Sequence, residues 1–204
     1  MTYCVGIKLK AGLVFLSDYR TNAGLDQIST FRKMIVYEKT GDRFMVLLSA
    51  GNLSISQSVR EILQVEQLKD TPESEPITIW NATSMFDAVR VLGSAIRRVR
   101  ERDAEALQAS GVDFNVSMIF GGQIGGESMR LFQVYSPGNF IEATAETPYF
   151  QMVRSSWGNK LREVFDGIED PMWDSIAPAP HPLMQASNRL QALKKISTPK
   201  DKLI

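Results

Sequence analysis

The chain opens with the stretch Thr2-Tyr-Cys-Val-Gly-Ile-Lys-Leu9, which is followed at once by a second apolar run, Gly12-Leu-Val-Phe-Leu-Ser-Asp-Tyr-Arg20. The residues Lys10-Ala11-Gly12 predict a turn that joins the two runs as paired strands. Two further apolar runs, at 32–37 and 44–51, complete four short strands within the first fifty-odd residues. The first of these predicted strands begins at Thr2, the second residue of the chain, whose side chain carries a hydroxyl group. The predicted function depends on the role of this residue.

Thr2 is the candidate nucleophile. Initiator methionine is generally removed when a small residue follows it, so we expect the mature chain to begin with Thr2. A threonine at the N-terminus carries its hydroxyl nucleophile and a free α-amine on one residue. The reference pKa of an α-amine is about 7.7–8.0, so it can take the hydroxyl proton near neutral pH.

Asp18 and Lys33 are candidates for supporting Thr2. Alternation along the second strand puts Asp18 on the face of Val14 and Leu16, which we expect to be a core face, and a carboxylate there needs a partner. A lysine ammonium held by Asp18 beside the α-amine would lower the pKa of that amine. The same spacing also fits a plainer interpretation, in which Thr2 is only a start residue and Asp18 and Lys33 form an ordinary ion pair.

Gly51 stands at a predicted strand-to-helix junction. Exposed backbone N–H groups at such a junction can stabilise a developing oxyanion. A tight turn that admits only glycine is the alternative explanation, and the sequence alone favours it. Cys4, which alternates to the same face as Thr2, is interpreted as a small buried apolar residue.

The rest of the chain alternates between predicted helices and strands. Ser54 is a predicted N-cap for an amphipathic helix, and a longer helix is predicted from about Ser84 to Ala109. The glycine-rich segment Gly121–Gly126 lies between two strand patterns and predicts a hairpin connection rather than a phosphate-binding loop. Strands are predicted at 114–120, 130–135, 140–144 and 149–153, and a helix at 183–196 follows a proline-rich segment.

Composition limits the function classes. The chain has 204 residues with 23 basic and 23 acidic side chains, so no overall field favours nucleic acid or an anionic membrane. It contains no apolar run long enough for a transmembrane helix and no secretory signal pattern. One cysteine, Cys4, and one histidine, His181, are too few for a usual metal cluster. We therefore expect a cytoplasmic protein without a metal or cofactor and without nucleic-acid or membrane partners.

Several motifs taken together resemble the proteasome β-subunit family of N-terminal-nucleophile hydrolases, and within it the match is closest to a bacterial homologue of the proteasome. The resemblance spans about residues 2–158 in the family's order. The motifs that carry it are Thr2-Tyr-Cys-Val-Gly6, Ser17-Asp-Tyr-Arg-Thr-Asn-Ala-Gly24, Ile28-Ser-Thr-Phe-Arg-Lys33, Leu48-Ser-Ala-Gly-Asn52, Gly111-Val-Asp-Phe114, Gly121-Gly-Gln123 and Tyr135-Ser-Pro-Gly-Asn-Phe-Ile-Glu-Ala-Thr144.

The resemblance implies roles for individual residues. It implies Thr2 as the nucleophile, Asp18 and Lys33 as its supporting pair, and Gly51 as the oxyanion-hole glycine. Ser155, within Arg154-Ser-Ser-Trp-Gly158, matches a family serine beside the threonine. The remaining matches are to substrate-binding positions: Arg20, the strand edge Thr21-Asn22-Ala23 that would bind a substrate backbone by β-augmentation, and the pocket residues Ile35 and Ser49.

The family has an α+β fold, a four-layer αββα sandwich, which we expect here to be incomplete at the C-terminal end. We divide the chain into a proteasome-like domain at 1–160 and a divergent, proline-containing tail at 161–204. The predicted function is threonine-type hydrolysis of peptides or unfolded proteins by a homo-oligomer, either a ring or an open spiral. Two alternatives stay open: a non-catalytic structural subunit of such an assembly, and an amidase for small non-peptide amides.

Overall fold

The computed structural model describes residues 3–18, 20–22, 28–30, 32–153 and 194–197. Two helices lie in this part of the chain, α1 (Leu53–Val65) and α2 (Met85–Ala109). The strands are β1 (Tyr3–Leu9), β2 (Gly12–Ser17), β3 (Arg20–Asn22), β4 (Ile28–Thr30), β5 (Met34–Lys39), β6 (Arg43–Gly51), β7 (Val116–Ile124), β8 (Arg130–Val134), β9 (Phe140–Glu142), β10 (Tyr149–Val153) and β11 (Lys194–Ser197).

The strands form two larger antiparallel sheets and one short hairpin. The first sheet has the order β10-β1-β2-β11, the second has the order β5-β6-β7-β8-β9, and β3 pairs with β4. Short connections join most neighbouring strands. The predicted hairpin between β7 and β8 is present, but residues 121–124 extend β7 and the turn begins only at Gly125. The α+β class expected from the sequence is confirmed.

The two larger sheets pack face to face around an apolar core. Leu13 and Phe15 of β2 enter this core, where they join Leu48, Ile119 and other buried residues of the second sheet. Leu16 belongs to a smaller cluster on the outer face of the first sheet, and Val14 packs against that cluster. The expectation that Val14 and Leu16 face the main core is therefore wrong, because alternation defines two faces but not which of them meets the other sheet.

The two helices cover the outer face of the second sheet. The N-cap of α1 is Asn52, whose side chain accepts a hydrogen bond from the Ser54 amide, so the cap lies two residues before the predicted Ser54. Ser84 is the N-cap of α2, close to the start predicted for this helix. The described residues thus form three layers, helix, sheet and sheet, and the fourth layer of an αββα sandwich stays a prediction.

The described part of the tail is a strand. β11 pairs with β2 in antiparallel register, with Ile196 opposite Leu13. The helix predicted over 183–196 is therefore wrong at 194–196, where the chain meets the outer edge of β2 and its backbone groups pair there instead. Residues 183–193 lie outside the described part, and the boundary between a domain at 1–160 and a separate tail stays a prediction.

Candidate active site

A lysine–aspartate pair lies at the end of the sheet sandwich where the chain begins. Asp18 directly follows β2, and Lys33 directly precedes β5, so the pair joins one sheet to the other. Lys33 Nζ donates a hydrogen bond of 2.5 Å to Asp18 Oδ1. The side chains of Lys33 and Asp18 are 5% and 18% exposed, so each charge needs the other in place of water.

The same carboxylate also binds the backbone at the start of β1. The Tyr3 amide donates to Asp18 Oδ1 at 3.1 Å. In return, the Asp18 amide donates to the Tyr3 carbonyl at 3.0 Å. Tyr3 is the residue that directly follows Thr2 in the chain. Asp18 therefore fixes the attachment point of Thr2 and, with the same oxygen atom, the position of the Lys33 ammonium.

Lys33 is also tied to the second sheet through its backbone. The Ser49 amide donates to the Lys33 carbonyl at 3.1 Å, which places Ser49 of β6 directly opposite Lys33. Ile35, two residues along β5 from Lys33, pairs with Leu47 of β6. The Cys4 thiol lies 3.9 Å from the Ser49 carbonyl oxygen. The structure thus brings Lys33, Ile35 and Ser49 to one end of the β5–β6 pair, with Cys4 of β1 behind them.

Gly51 closes the same strand, β6, two residues beyond Ser49. Its φ of +108° is rarely accessible to residues with a Cβ atom. A Cβ atom at this position would lie only 2.4 Å from the Asn115 carbonyl oxygen. That oxygen accepts a hydrogen bond from the Asn52 amide at 2.8 Å. Close approach of two backbones therefore requires glycine here, whatever further role Gly51 has in chemistry.

Other predicted site residues are described only in part. Thr2, Ala23 and Ser155 lie outside the described residues. Residues 20–22 form β3, which pairs with β4 along one edge. Within the described ranges, β3 has no strand on its other edge, as a strand that receives a substrate backbone would require. No group of three or more His, Cys, Asp or Glu side chains able to hold a metal ion lies among the described residues.

This arrangement has a definite chemical capability. It provides a buried ammonium and a carboxylate that orients it. It also provides two hydrogen bonds between Asp18 and the backbone of Tyr3, one residue from a potential N-terminal amine and hydroxyl. An ammonium at such a place disfavours protonation of a neighbouring amine, which makes the amine a better base near neutral pH. The sequence indicated the Asp18–Lys33 pair but not the hydrogen bond from the Tyr3 amide to Asp18. That bond depends on backbone register and leaves no signal in residue type.

Comparison with solved structures connects this geometry to known proteins. "Anbu (ancestral beta-subunit)" from Yersinia bercovieri matches with 42% sequence identity and a TM-score of 0.68, over 82% of this chain and 66% of that one. Anbu from Hyphomicrobium sp. strain MC1 matches with 40% identity and a TM-score of 0.64, over 90% of this chain and 69% of that one. A structure titled "Helical Assembly of the Anbu Complex", from Pseudomonas aeruginosa, matches with 38% identity and a TM-score of 0.68, with the same two coverages of 90% and 69%.

The chain spans about two thirds of the length of these relatives, 66% for the first and 69% for the other two. No family model matches the sequence, and no curated protein matches it. The two packed antiparallel sheets and this likeness define the chain as a protein with a proteasome-like fold. Within that class, the chain belongs to the family of the bacterial proteasome homologue Anbu, which confirms the resemblance found in the sequence.

Proposed function

We propose that this protein is a threonine-type peptidase whose nucleophile is the hydroxyl of Thr2 after removal of Met1. The observation that carries the proposal is the contact of Asp18 Oδ1 with both Lys33 Nζ and the Tyr3 amide. A structural ion pair alone has no need to hold the backbone next to an N-terminal threonine. Membership of a proteasome-like family supports the same conclusion.

The reaction proceeds through an ester. The Thr2 Oγ attacks the carbonyl carbon of the substrate amide while the α-amine of Thr2 accepts the hydroxyl proton. That proton passes to the leaving nitrogen as the carbon–nitrogen bond breaks. Water then attacks the ester carbon and releases the acid, and the proton it gives up restores the hydroxyl of Thr2. The Lys33 ammonium keeps the α-amine unprotonated before the attack and stabilises negative charge near Oγ.

The remaining predicted residues complete this proposal. The Gly51 N–H group stabilises the oxyanion, and Ser155 assists near the nucleophile. The substrate backbone pairs with the edge formed by Thr21, Asn22 and Ala23, while Arg20 supports that edge. Ile35 and Ser49 line the pocket for the side chain that precedes the cleaved bond. The substrates are peptides or unfolded proteins of the cytoplasm.

Substitution of the nucleophile tests the proposal. Thr2→Ala is expected to lower turnover of short fluorogenic peptides on the order of 10³-fold or more, because no other group replaces the attacking oxygen. Thr71→Ala is the matched control, since Thr71 is an exposed threonine in the loop after α1. Cleavage by Thr2→Ala at the wild-type rate, with normal cleavage by the control, rules the mechanism out.

A second candidate function is that of a non-catalytic subunit in a homo-oligomeric array. One observation favours it: a relative was solved as a helical assembly. Retention of Met1 on the purified protein, together with no labelling by a threonine-directed epoxyketone or β-lactone, would support this candidate. Loss of Met1 with a single inhibitor adduct would exclude it.

A further inference from the structure

The start of β7 packs directly against the end of β6. Gly51 of β6 lies opposite Val116 of β7, and the amide of Asn52, the next residue, donates to the Asn115 carbonyl. Hydrogen-bonded and non-hydrogen-bonded pairs alternate along antiparallel strands, so the hydrogen bond between Asn52 and Asn115 makes Gly51 and Val116 a non-hydrogen-bonded pair. A Cβ atom at Gly51 would lie only 3.0 Å from the Val116 Cα atom. Val116 is therefore the backbone support against which Gly51 packs.

The same alternation sets the direction of the Gly51 N–H group. In a non-hydrogen-bonded pair, the N–H and C=O groups of each residue point away from the partner strand. The Gly51 N–H group therefore points away from β7, to the side of β6 on which the Ser49 amide donates to the Lys33 carbonyl. This is the side of the candidate active site, where an N–H group can bind a developing oxyanion.

The Ser136 side chain holds Val116 from its other side. β8 ends at Val134, but its register with β7 would place residue 136 opposite Val116. At that position the Ser136 hydroxyl takes the place of a strand backbone. It accepts a hydrogen bond from the Val116 amide at 3.0 Å and donates one to the Val116 carbonyl at 2.8 Å. One side chain thus satisfies both backbone groups of Val116 that point away from β6.

We propose that Ser136 is a positioning residue for the oxyanion-binding N–H group of Gly51, acting through Val116. This inference rests on the proposed peptidase function. Two hydrogen bonds fix Val116 to Ser136, and close backbone contact fixes Gly51 to Val116. Loss of the Ser136 hydroxyl releases the start of β7, and the Gly51 N–H group loses its fixed position. Misplacement of a reacting group by about 1 Å can cost about 10²-fold in rate.

The kinetics of Ser136→Ala test this inference. We expect kcat for short fluorogenic peptides to fall about 10-fold with KM within about 2-fold of wild type, because the transition state needs this N–H group more than the bound peptide does. A peptide aldehyde forms a hemiacetal with the Thr2 hydroxyl, and its oxygen occupies the oxyanion position. We expect its affinity to fall by about the same factor as kcat. Ser136→Thr keeps a hydroxyl group and is expected to restore most of both losses.

Ser110→Ala is the matched control. The Ser110 hydroxyl also donates to a backbone carbonyl, that of Ala106 at 3.0 Å, but it lies exposed at the end of α2. Its kcat is expected to equal that of wild type. Urea titration checks that each variant is folded in the assay, and Ser136→Cys, which bonds the backbone more weakly than serine, replaces Ser136→Ala if that variant does not fold.

The outcomes separate this inference from the proposed function. Wild-type kcat and aldehyde affinity in the Ser136 variants, a loss confined to KM, or a loss that Ser136→Thr does not reduce would each overturn the role of Ser136 while the peptidase function stands. A folded wild-type protein that cleaves no peptide and binds no aldehyde refutes the peptidase function, and the role of Ser136 falls with it.

Discussion

At the scale of single residues, Asp18 holds the most demanding position in the described part of the chain. One of its oxygen atoms accepts from both a nearly buried ammonium and the amide that follows Thr2. A carboxylate so placed has a structural and a chemical task at once. Its charge compensates Lys33, and its Oδ1 holds the backbone amide of Tyr3 at the start of β1.

Asp18→Asn separates these two tasks. The asparagine oxygen can still accept from the Tyr3 amide, but the Lys33 ammonium loses its counter-charge in a site where its side chain is 5% exposed. We expect a loss of about 3 kcal/mol in the free energy of unfolding, as when one partner of a buried pair is removed. We also expect peptide turnover to fall at least about 10²-fold. Urea titration and peptide cleavage measure the two effects.

Asp103→Asn is the matched control for that experiment. Asp103 also forms an ion pair, with Arg102 at 2.7 Å, but the Arg102 side chain is 57% exposed on α2 and keeps its contact with water. Its removal is expected to leave the urea midpoint and the turnover close to wild type. Equal losses in both variants would contradict the special position of Asp18.

Cys4 provides a second test at this scale. Its side chain is 0% exposed, and burial raises the pKa of the thiol to about 12, with smaller opposing effects of Lys33 and Asp18. The thiolate that reacts with alkylating agents is therefore almost absent at pH 8. We expect no iodoacetamide adduct on the native protein and complete modification in denaturant, both read by intact mass. Rapid stoichiometric labelling of the native protein would contradict the described packing of β1.

The residues show how far the sequence could lead. Asp18 was expected to need a partner because it shares a strand face with Val14 and Leu16; that face is the outer one, yet Asp18 does accept a hydrogen bond from Lys33. For Gly51 the sequence left two explanations open; the close approach of the Asn115 carbonyl gives a steric reason for glycine, and the oxyanion role stays a proposal. That approach joins positions far apart in the chain, so no local pattern could reveal it.

At the scale of elements, α2 meets the turn between β8 and β9 through two glycines. A Cβ atom on Gly93 would lie 2.4 Å from the Gly138 carbonyl oxygen. The Arg97 guanidinium donates to that same oxygen at 3.1 Å. Glycine at 93 is unfavourable for a helix but permits this contact, which anchors the long helix to the second sheet.

Gly93→Ala is therefore expected to destabilise the protein although alanine favours helix formation by about 1 kcal/mol. The added methyl group must displace a carbonyl oxygen, and overpacking of this kind costs about 1–3 kcal/mol. Thermal unfolding should show a lower Tm for Gly93→Ala. Gly126→Ala is the control, because a Cβ atom there would meet nothing within 4 Å. An unchanged or raised Tm for Gly93→Ala would show that the contact is looser than described.

The β8–β9 pair has a pH-dependent contribution to stability. Hydrogen bonds from Arg130 lower the pKa of Glu142 below its ordinary value. A lowered folded-state pKa means that the contribution is present above the unfolded-state pKa and is lost as pH falls through the folded-state value. Because the pair is partly exposed, Glu142→Gln is expected to cost only about 0.5–1 kcal/mol at pH 7. Urea titrations should show the difference shrinking below about pH 4, and a constant difference would exclude the charged pair as its cause.

Elements were predicted from the sequence with uneven success. Both helices were found because their apolar residues recur at helical spacing, although the N-cap of α1 was predicted at Ser54 and lies at Asn52. The strand at 194–197 was missed because Leu190, Leu193 and Ile196 also fit helical spacing. Only the open edge of β2 selects the strand, and that edge is a property of the assembled sheet rather than of the tail.

At the scale of the whole molecule, the candidate site lies where the two sheets meet. The Lys33–Asp18 pair lies beside the chain start, with Asp18 after β2 of the first sheet and Lys33 before β5 of the second. The strand orders of the four-stranded and five-stranded sheets could not be predicted from strand patterns alone, because pairing between strands distant in the chain leaves no local signal. The resemblance indicated the sandwich class but not these orders.

The most direct test of the central claim is intact mass spectrometry of the native protein before and after treatment with a peptide epoxyketone. We predict a chain lighter by one methionine, and then a single inhibitor adduct that peptide mapping assigns to Thr2 and that is absent from Thr2→Ala. A chain that keeps Met1 and takes up no inhibitor would contradict the account of Thr2 as a nucleophile.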